Sequence, residues 1–326
     1  MPHNLLLAFD IGGTKLAVGI APVARFRQTG TFDALVKEPI PLPGTPDVVT
    51  QRLVKIGRQL LAESNGQLAG IGISIGGPLD HLTGTVLNFP HLPGWRNIPL
   101  RQQLSEAFGA PAGLDNDANV GALAEHRLGA GKGAMSMVYL TISTGIGGGV
   151  IVNGKLHHGV ASGAGEVGHI TVQTDGPRCA CGNHGCLETM ASGTAIARRA
   201  GQALADYPEQ GAVLRQMLGA QSAPTAQQVF AAAAAGDQLA RMLWEQTAKY
   251  LAIGLGSIIH LLAPQTIVLG GGVAQTGEGL LNPVRRNLAN HVFYIPLASI
   301  QLLPAALGHD SAVIGAGLLA TELLNC

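Results

Sequence analysis

One pattern occurs twice in this sequence and limits its possible folds more than any other feature: an apolar strand, a turn rich in glycine and threonine, and a second strand. The first copy covers residues 5–21 and turns through Asp10-Ile-Gly-Gly-Thr-Lys15. The second copy covers residues 135–152 and turns through Ser143-Thr-Gly-Ile-Gly-Gly-Gly149. The copies lie too far apart for a solenoid, so they predict two related lobes.

Helical segments separate these β-rich units, and the alternation of strands and helices predicts an α/β protein. Between the lobes we expect a hinge near residues 117–120 and a second crossing near residue 310. The predicted small lobe is residues 1–118 with a C-terminal helix at 310–326, and the large lobe is residues 119–309. Helices are predicted at 48–63, 100–108, 191–204, 226–235, 237–262 and 311–324, and a further helix is predicted to follow residues 116–119 and to end at 128.

The glycine turns have the composition of phosphate-binding loops. Gly12-Gly13 lacks side chains, so its backbone N–H groups can approach phosphate oxygens, and the Thr14 hydroxyl can donate a further hydrogen bond. Asp10 could hold Mg²⁺ through water, because Mg²⁺ keeps much of its hydration. The turn with Thr144 is a second cradle, and Gly270-Gly-Gly272 suits the nucleoside portion. A plain hairpin turn is the alternative for any one of them.

Short polar side chains are concentrated in Leu114-Asp-Asn-Asp-Ala-Asn119, between a strand-like stretch and a helix. Asp117 is the candidate general base, which would accept the proton of a sugar hydroxyl as that oxygen attacks a γ-phosphoryl group. Asn116 would hydrogen-bond the sugar beside it, and helix capping is the alternative for this segment. Glu166, which we expect on a strand, and Glu188 could hold paired sugar hydroxyls, and a solvated surface acid is the alternative for each.

Three cysteines within eight residues, together with a nearby histidine, indicate a metal site. One imidazole and three thiolates match a closed tetrahedral zinc site with no open position, so the zinc should be structural. His184 is a rival ligand inside the knuckle, three free buried thiols are the alternative, and Cys326 has no assigned role. The predicted ligands are His169, Cys179, Cys181 and Cys186.

The charge balance argues against a nucleic-acid partner. Lys plus Arg number 20 and Asp plus Glu number 20, so the formal net charge is zero and no overall field attracts nucleic acid or anionic membrane. The sequence has no apolar run of 18 residues and no leader-like segment, so we expect neither a membrane span nor export. Clustered cysteines also suit a reducing compartment, and we expect a cytoplasmic protein.

Together these residues resemble the ROK family (repressors, open reading frames and kinases), a branch of the actin-like ATPase superfamily. The resemblance runs from Leu5 to about Leu319, and its most specific part is Gly165-Glu-Val-Gly-His169 followed by Cys179-Ala-Cys-Gly-Asn-His-Gly-Cys-Leu-Glu188. It implies a two-lobed, ribonuclease H-like fold with an active-site cleft between the lobes. It also implies ATP, Mg²⁺ and structural zinc as cofactors, and a homodimer or homotetramer.

The resemblance implies a role for each candidate residue. Asp117 would be the catalytic base, and His169 would both bind zinc and touch the sugar. The implied sugar-binding residues are Gly77, Asn88, Asn116, Asp117, Glu166, His169 and Glu188. The implied nucleotide-binding residues are Asp10, Gly12, Gly13, Thr14, Lys15, Thr144, Gly145, Gly147, Gly271 and Gly272, with Asp10 also holding Mg²⁺ through water.

The substrate expected from the resemblance is glucose, phosphorylated at the 6-hydroxyl. His91 stands where glucokinases more usually have Asn, so N-acetylmannosamine and N-acetylglucosamine are the alternatives. A sugar-sensing regulator of the same family would carry an N-terminal helix-turn-helix, for which the strand that begins at Leu5 leaves no room. A non-catalytic sugar-binding protein would lack the base or a phosphate loop, whereas both are present. A kinase that uses polyphosphate would want a basic groove that this sequence does not show.

Overall fold

The computed structural model describes residues 3–219, 221 and 223–325, and these fold into two compact units. Unit 1 contains the residues up to Gly133, Gly149–Ala164, and the residues from His309 onward; unit 2 contains Ala134–Gly148 and Gly165–Gly308. The lobe boundaries expected from the sequence stay a prediction.

Strands and helices alternate along the chain, as the sequence predicted. The strands are β1 (His3–Ile11), β2 (Lys15–Pro22), β3 (Ala34–Pro39), β4 (Gly66–Ile75), β5 (Leu79–Asp80), β6 (Thr85–Asn88), β7 (Arg96–Ile98), β8 (Ala112–Asn116), β9 (Ser136–Ile142), β10 (Ile146–Val152), β11 (Lys155–Leu156), β12 (Thr266–Gly270) and β13 (Gln301–Pro304). The helices are α1 (Val23–Thr29), α2 (Pro46–Ala62), α3 (Leu100–Phe108), α4 (Asp117–Leu128), α5 (Leu187–Ala191), α6 (Gly193–Asp206), α7 (Ala212–Leu218), α8 (Ala226–Ala234), α9 (Gln238–Leu262), α10 (Gly271–Ala274), α11 (Glu278–Leu288) and α12 (Ser311–Glu322).

The sheet of unit 1 has the order β3-β2-β1-β4-β8, with β2 antiparallel to its neighbours and β1, β4 and β8 mutually parallel. Apolar side chains of the sheet and of α2 and α3 form a continuous buried core. The register places Asp10 beside Ser74, and Ser74 beside Asp115, near the carboxyl ends of the parallel strands. Ligand sites of open α/β sheets lie at this end, so the register brings the polar residues to one edge.

The second sheet has the order β11-β10-β9-β12-β13, with β9, β12 and β13 parallel. Both sheets therefore place their strands in the same sequence order: third, second, first, fourth, fifth. The pattern found twice in the sequence forms the antiparallel side of the first sheet and the β9–β10 region of the second. Strand β10 begins in unit 2, and its last residues belong to unit 1, where they pair with β11.

The helices predicted before residue 263 are present with ends shifted by at most two residues, and the C-terminal helix expected at 310–326 covers Ser311–Glu322. Helix α9 begins at the cap Asp237, whose carboxylate accepts from Ala240 N, as Asp at such a position does. Gly254 inside α9 lets the helix approach Leu187 closely: a Cβ there would lie 2.8 Å from the Leu187 side chain. No helix of the described residues combines the length and the apolar character needed to cross a membrane.

Three local expectations were wrong. Asp10 lies within β1 and not in the turn, because β1 pairs with β4 as far as Ile11. Strand β10 begins at Ile146, so the second turn is shorter than its glycine content predicted. Glu166 lies in a loop before a short 3-10 turn, Val167–His169, and not on a strand.

Candidate active site

Asp10 is the most perturbed acid of unit 1. Ser74 Oγ donates to Asp10 Oδ1 at 2.6 Å. Burial raises the pKa of Asp10 to about 6 against this hydrogen bond, and the nearby carboxylates of Asp117 and Asp310 raise it further. The Lys37 ammonium lowers the pKa of Asp10 in part. A carboxylate near two others favours a bound cation, so Asp10 is compatible with the predicted Mg²⁺ role and lies near the predicted base.

The diglycine turn beside Asp10 is closely packed. Gly12 N donates to Lys15 O at 2.9 Å and closes the hairpin between β1 and β2. A Cβ on Gly13 would lie 2.9 Å from the His91 Cβ, so a side chain at this position would displace that residue. Thr14 and Lys15 are exposed at the tip, where both are available to a ligand.

The predicted base stands at the start of a helix. Asp117 is exposed at the first residue of α4, and its Oδ1 accepts from Ala118 N at 2.8 Å. Its Oδ2 lies on the side of Gly76, 3.6 Å from where a Cβ of that glycine would be. Asn116 Oδ1 also accepts from Ala118 N, at 2.9 Å, so the helix-capping alternative holds for Asn116.

The sugar-binding residues predicted for unit 1 lie together. Asn116 Nδ2 donates to Gly77 O at 3.3 Å. Gly77 has φ +87°, and a Cβ on it would clash with the carbonyl of Asn88 at the end of β6, so glycine is required here. Gly77, Asn88, Asn116 and Asp117 thus form one cluster, and their contacts to a sugar stay a prediction.

In unit 2 the second glycine turn is held from two sides. Glu188 Oε2 accepts from Ile146 N at 2.9 Å, and a Cβ on Gly145 would clash with this carboxylate. Ser143 O accepts from Gly193 N at 2.7 Å, at the start of α6, and Thr194 Oγ1 donates to Thr144 O at 2.8 Å. Glu188 therefore fixes the turn as well as being a candidate sugar ligand.

The third glycine run adjoins this turn. Gly271 has φ +83°, and a Cβ on it would clash with the carbonyl of Ile142, at the end of β9. A Cβ on Gly193 would lie 3.5 Å from the Val273 side chain, so the start of α6 lies against α10. The turn with Thr144, the start of α6 and Gly271-Gly272 are therefore neighbours, as a nucleotide site in unit 2 requires. Gly147 is the second residue of β10 and so lies outside the turn.

The four predicted metal ligands converge in unit 2, where their ligand atoms all lie within 4.8 Å of one another. Cys181 Sγ and Cys186 Sγ are 3.7 Å apart, and Cys179 Sγ is 3.5 Å from His169 Nδ1. Tetrahedral zinc with Zn–S of ~2.3 Å and Zn–N of ~2.0 Å places such pairs ~3.8 Å and ~3.5 Å apart. The donor set and its spacing therefore fit zinc.

His169 presents its two ring nitrogens to different neighbours. Nδ1 faces Cys179, and Nε2 lies 3.6 Å from Glu166 Oε2. This orientation is compatible with the predicted double role of His169 at zinc and at the sugar. His184, the rival ligand, is exposed, and its Nδ1 lies 3.2 Å from Gly176 O and outside the cluster.

The thiols of the cluster differ in their acidity. Burial, with hydrogen bonds to the other two thiols, raises the pKa of Cys186 to about 12, whereas the backbone N–H of Asn183 lowers the pKa of Cys181. Metal binding would therefore release a proton from the buried Cys186 thiol. Cys326 lies outside the described residues.

Two residues near Asp10, Ser74 and Asp310, were not predicted from the sequence. Ser74 is the only polar side chain in the apolar stretch Ile71-Gly-Ile-Ser-Ile75, and that exception was the available signal. Asp310 precedes the apolar helix α12, and its Oδ1 lies 2.5 Å from Lys37 Nζ. A cap before a helix is the ordinary interpretation of such an acid, so its proximity to Asp10 was not evident.

Comparison with known proteins identifies the family. The profile of the ROK family matches residues 6–323. Three relatives are similar in sequence: a glucokinase of Thermotoga maritima, 33% identical over the whole of both chains; an N-acetylmannosamine kinase of Escherichia coli, 32% identical over 96% of this chain and 97% of the relative; and a xylose repressor of Bacillus subtilis, 32% identical over 76% and 60%.

Two solved structures are similar in fold. A ROK hexokinase from Thermus thermophilus has a TM-score of 0.81 at 35% identity, with 98% of this chain and 99% of that chain covered. A ROK glucokinase from Streptomyces griseus, solved with glucose and AMPPNP, has a TM-score of 0.82 at 32% identity, with 98% and 100% covered. The chain belongs to the ROK family, and the family and fold class predicted from its sequence are confirmed.

The raised pKa of Asp10 predicts how stability depends on pH. The pKa of Asp10 in the folded protein, about 6, exceeds the ordinary aspartate value of 3.8, so the unfolded state loses its proton first as pH rises. Asp10→Asn should therefore melt several degrees above wild type at pH 7.5 without added Mg²⁺, and the difference should shrink as pH falls from 6 towards 4.

Asp80→Asn is the matched control with the opposite sign, because the hydrogen bond from Thr83 lowers the pKa of Asp80. It should melt no higher than wild type at pH 7.5. A melting temperature of Asp10→Asn equal to or below that of wild type at pH 7.5 would show that the charged Asp10 carboxylate does not destabilise the folded protein.

The ligand geometry predicts the metal content of three variants. Protein with Cys181→Ser or His169→Ala should lose most of its zinc, measured by mass spectrometry of the purified protein, because each change removes one ligand of a closed site. His184→Ala should keep its zinc. Loss of zinc from His184→Ala with retention in His169→Ala would reverse the assignment.

Proposed function

We propose that this chain transfers the γ-phosphoryl group of ATP to the 6-hydroxyl of glucose. The observation that carries the proposal is the cluster in unit 1, where Asp117 stands beside Gly76 and Asn116 and raises the pKa of Asp10. A base for a sugar hydroxyl and a carboxylate for a phosphate-bound cation therefore belong to one site. The similarity to glucokinases along the whole chain supports the same enzyme class.

In the proposed reaction, the Asp117 carboxylate accepts the proton of the 6-hydroxyl while that oxygen attacks the γ-phosphorus. The bond from phosphorus to the β,γ-bridging oxygen breaks, and ADP leaves with the electron pair. Backbone N–H groups of the Gly12-Gly13 and Thr144-Gly145 turns hold the phosphates, and the Gly271-Gly272 run receives the nucleoside. Mg²⁺, bound through water at Asp10, would neutralise part of the phosphate charge.

The sugar is held, in this proposal, by Asn116, Asn88 and Gly77 of unit 1. The contacts proposed for unit 2 are Glu166, His169 and Glu188. Zinc at His169 and the three cysteines is structural, because four protein ligands leave no open position. The homodimer or homotetramer and the cytoplasmic location stay predictions.

N-acetylmannosamine is the second candidate substrate. His91 is exposed beside the diglycine turn, in the stretch where glucokinases more usually have Asn. The similarity to an N-acetylmannosamine kinase along nearly the whole chain is compatible with this alternative.

A panel of sugars tests the function and the substrate together. ADP release measured with glucose, N-acetylmannosamine, N-acetylglucosamine and fructose should give the highest kcat/KM for glucose, by about tenfold or more, because pockets built around hydrogen-bonded hydroxyls discriminate strongly. A higher value for N-acetylmannosamine would favour the second candidate. Release that no sugar stimulates would exclude a sugar kinase.

Asp117→Asn tests the base separately. The asparagine can still accept from Ala118 N, so the helix start should persist. We expect kcat to fall about 10³-fold while the Kd for glucose stays within a few-fold, measured by calorimetry. Asp80→Asn is the matched control and should keep its turnover. A kcat of Asp117→Asn within tenfold of wild type would remove Asp117 from the base role.

A further inference from the structure

A pair of side chains behind the proposed base is unexplained by the proposed reaction. Asp115 lies two residues before the proposed base Asp117, and only 2% of its side chain is exposed. Its Oδ2 lies 2.7 Å from His158 Nε2, on a loop 43 residues further along the chain. The other oxygen, Oδ1, accepts from Asn116 N at 2.7 Å and from Asn119 Nδ2 at 2.9 Å.

Burial of a carboxylate is costly unless its lone pairs are satisfied. The two oxygens of Asp115 have different partners. Oδ1 accepts hydrogen bonds from Asn116 N and Asn119 Nδ2 at the start of α4, and Oδ2 is paired with His158 Nε2. Loss of the His158 N–H would leave Oδ2 buried without its donor. The carboxylate would then have to turn or take up water, and its hold on Asn116 N would change.

His158 is itself fixed by contacts on its other side. Its ring stacks on the ring of His81, with centroids 3.7 Å apart and planes 6° apart. His81 Nδ1 lies 2.7 Å from Ser162 Oγ, on the same loop as His158. Burial lowers the pKa of His81, and the neighbouring His158 lowers it further, whereas Asp115 and Asp80 raise it.

The loop that carries these groups is strained. Ala161 and Ser162 have φ of +52° and +58°, a conformation that side chains other than glycine rarely adopt. Such backbone persists where the surrounding contacts hold it in place, and it is frequent around functional sites. The Ser162–His81 bond is one such contact, and it links the strained loop to the stacked rings.

The effect of the pair reaches the proposed base through one peptide. Asp115 Oδ1 holds the N–H of Asn116, whose own side chain caps α4 and binds the Gly77 carbonyl. Asp117 is the residue that directly follows Asn116. A shift of Asp115 would therefore move both the sugar-binding amide and the base.

We propose that His158 and Asp115 are positioning residues, which hold Asn116 and Asp117 in the orientation that the phosphoryl transfer needs. This proposal rests on the proposed function, because it assigns the two residues a part in that reaction. Neither of them touches the reacting atoms. His158 acts through Asp115, and Asp115 acts through the Asn116 amide.

Three variants of His158 separate the hydrogen bond from the ring. His158→Phe keeps a flat ring to stack on His81 but has no donor. His158→Gln loses the ring but keeps an amide N–H at the reach of Nε2, and His158→Asn has an amide too short to reach Asp115. His157→Phe is the matched control, because His157 is the exposed neighbour on the same loop.

We expect kcat/KM for glucose to fall about 10²-fold in His158→Phe and His158→Asn, since a small misplacement of catalytic groups costs this much. The KM for ATP should stay within about threefold, because the substitution removes no contact that binds ATP equally in the ground state and the transition state. His158→Gln should keep kcat/KM within about tenfold of wild type, and His157→Phe should match wild type. Equal losses in the Gln and Phe variants, or no loss in Phe, would overturn the proposal.

Hydrogen–deuterium exchange tests the positioning without any turnover. Amides of residues 114–119 should exchange faster in His158→Phe than in wild type, and at the wild-type rate in His158→Gln. Unchanged exchange in His158→Phe would overturn the proposal even in an active enzyme. If wild type phosphorylates no sugar, the proposed function fails, while the exchange result still decides whether the pair holds this segment. Should His158→Phe not fold, the Gln and Asn variants give the same comparison.

Discussion

The repulsion between the carboxylates of Asp10 and Asp117 within unit 1 is the interaction on which the proposed chemistry depends. Burial already disfavours the charged form of Asp10, and Asp117 adds to that effect. The only side-chain hydrogen bond that offsets it comes from Ser74. The nearby Lys37 ammonium also lowers the pKa of Asp10 and so offsets part of this effect. In the proposed reaction, Mg²⁺ bound through water would offset more of it.

In unit 2 the cluster of His169 and three cysteines is connected through the chain to the second glycine turn. Cys186 and Glu188 flank Leu187, which packs against Gly254 of the long helix α9. Glu188 then accepts from Ile146 N, at the turn with Gly145. In the proposed function, zinc would fix one end of this short segment, and the glycine turn proposed to hold phosphate lies at the other end.

The sequence predicted the features that depend on local pattern. Helices followed from apolar spacing and helix propensity, and the approximate positions of the glycine turns and the clustering of three cysteines with His169 followed from residue type at fixed spacing. The extent of β10 could not be predicted, because its glycines are explained by close tertiary neighbours and not by a turn. A Cβ on Gly148, for example, would lie 2.6 Å from Val167. The contacts of Asp10 with Ser74 and of Asp115 with His158 join residues 64 and 43 positions apart, which no local pattern encodes.

The most direct test of the central claim is to follow the phosphorus atom itself. Purified protein is mixed with ATP, Mg²⁺ and glucose, and the ³¹P NMR spectrum is recorded as the reaction proceeds. The account predicts that the γ-phosphate signal is replaced by the signal of glucose 6-phosphate, in equal amount to the ADP formed. Free inorganic phosphate in place of the sugar phosphate, or an unchanged ATP spectrum, would contradict it.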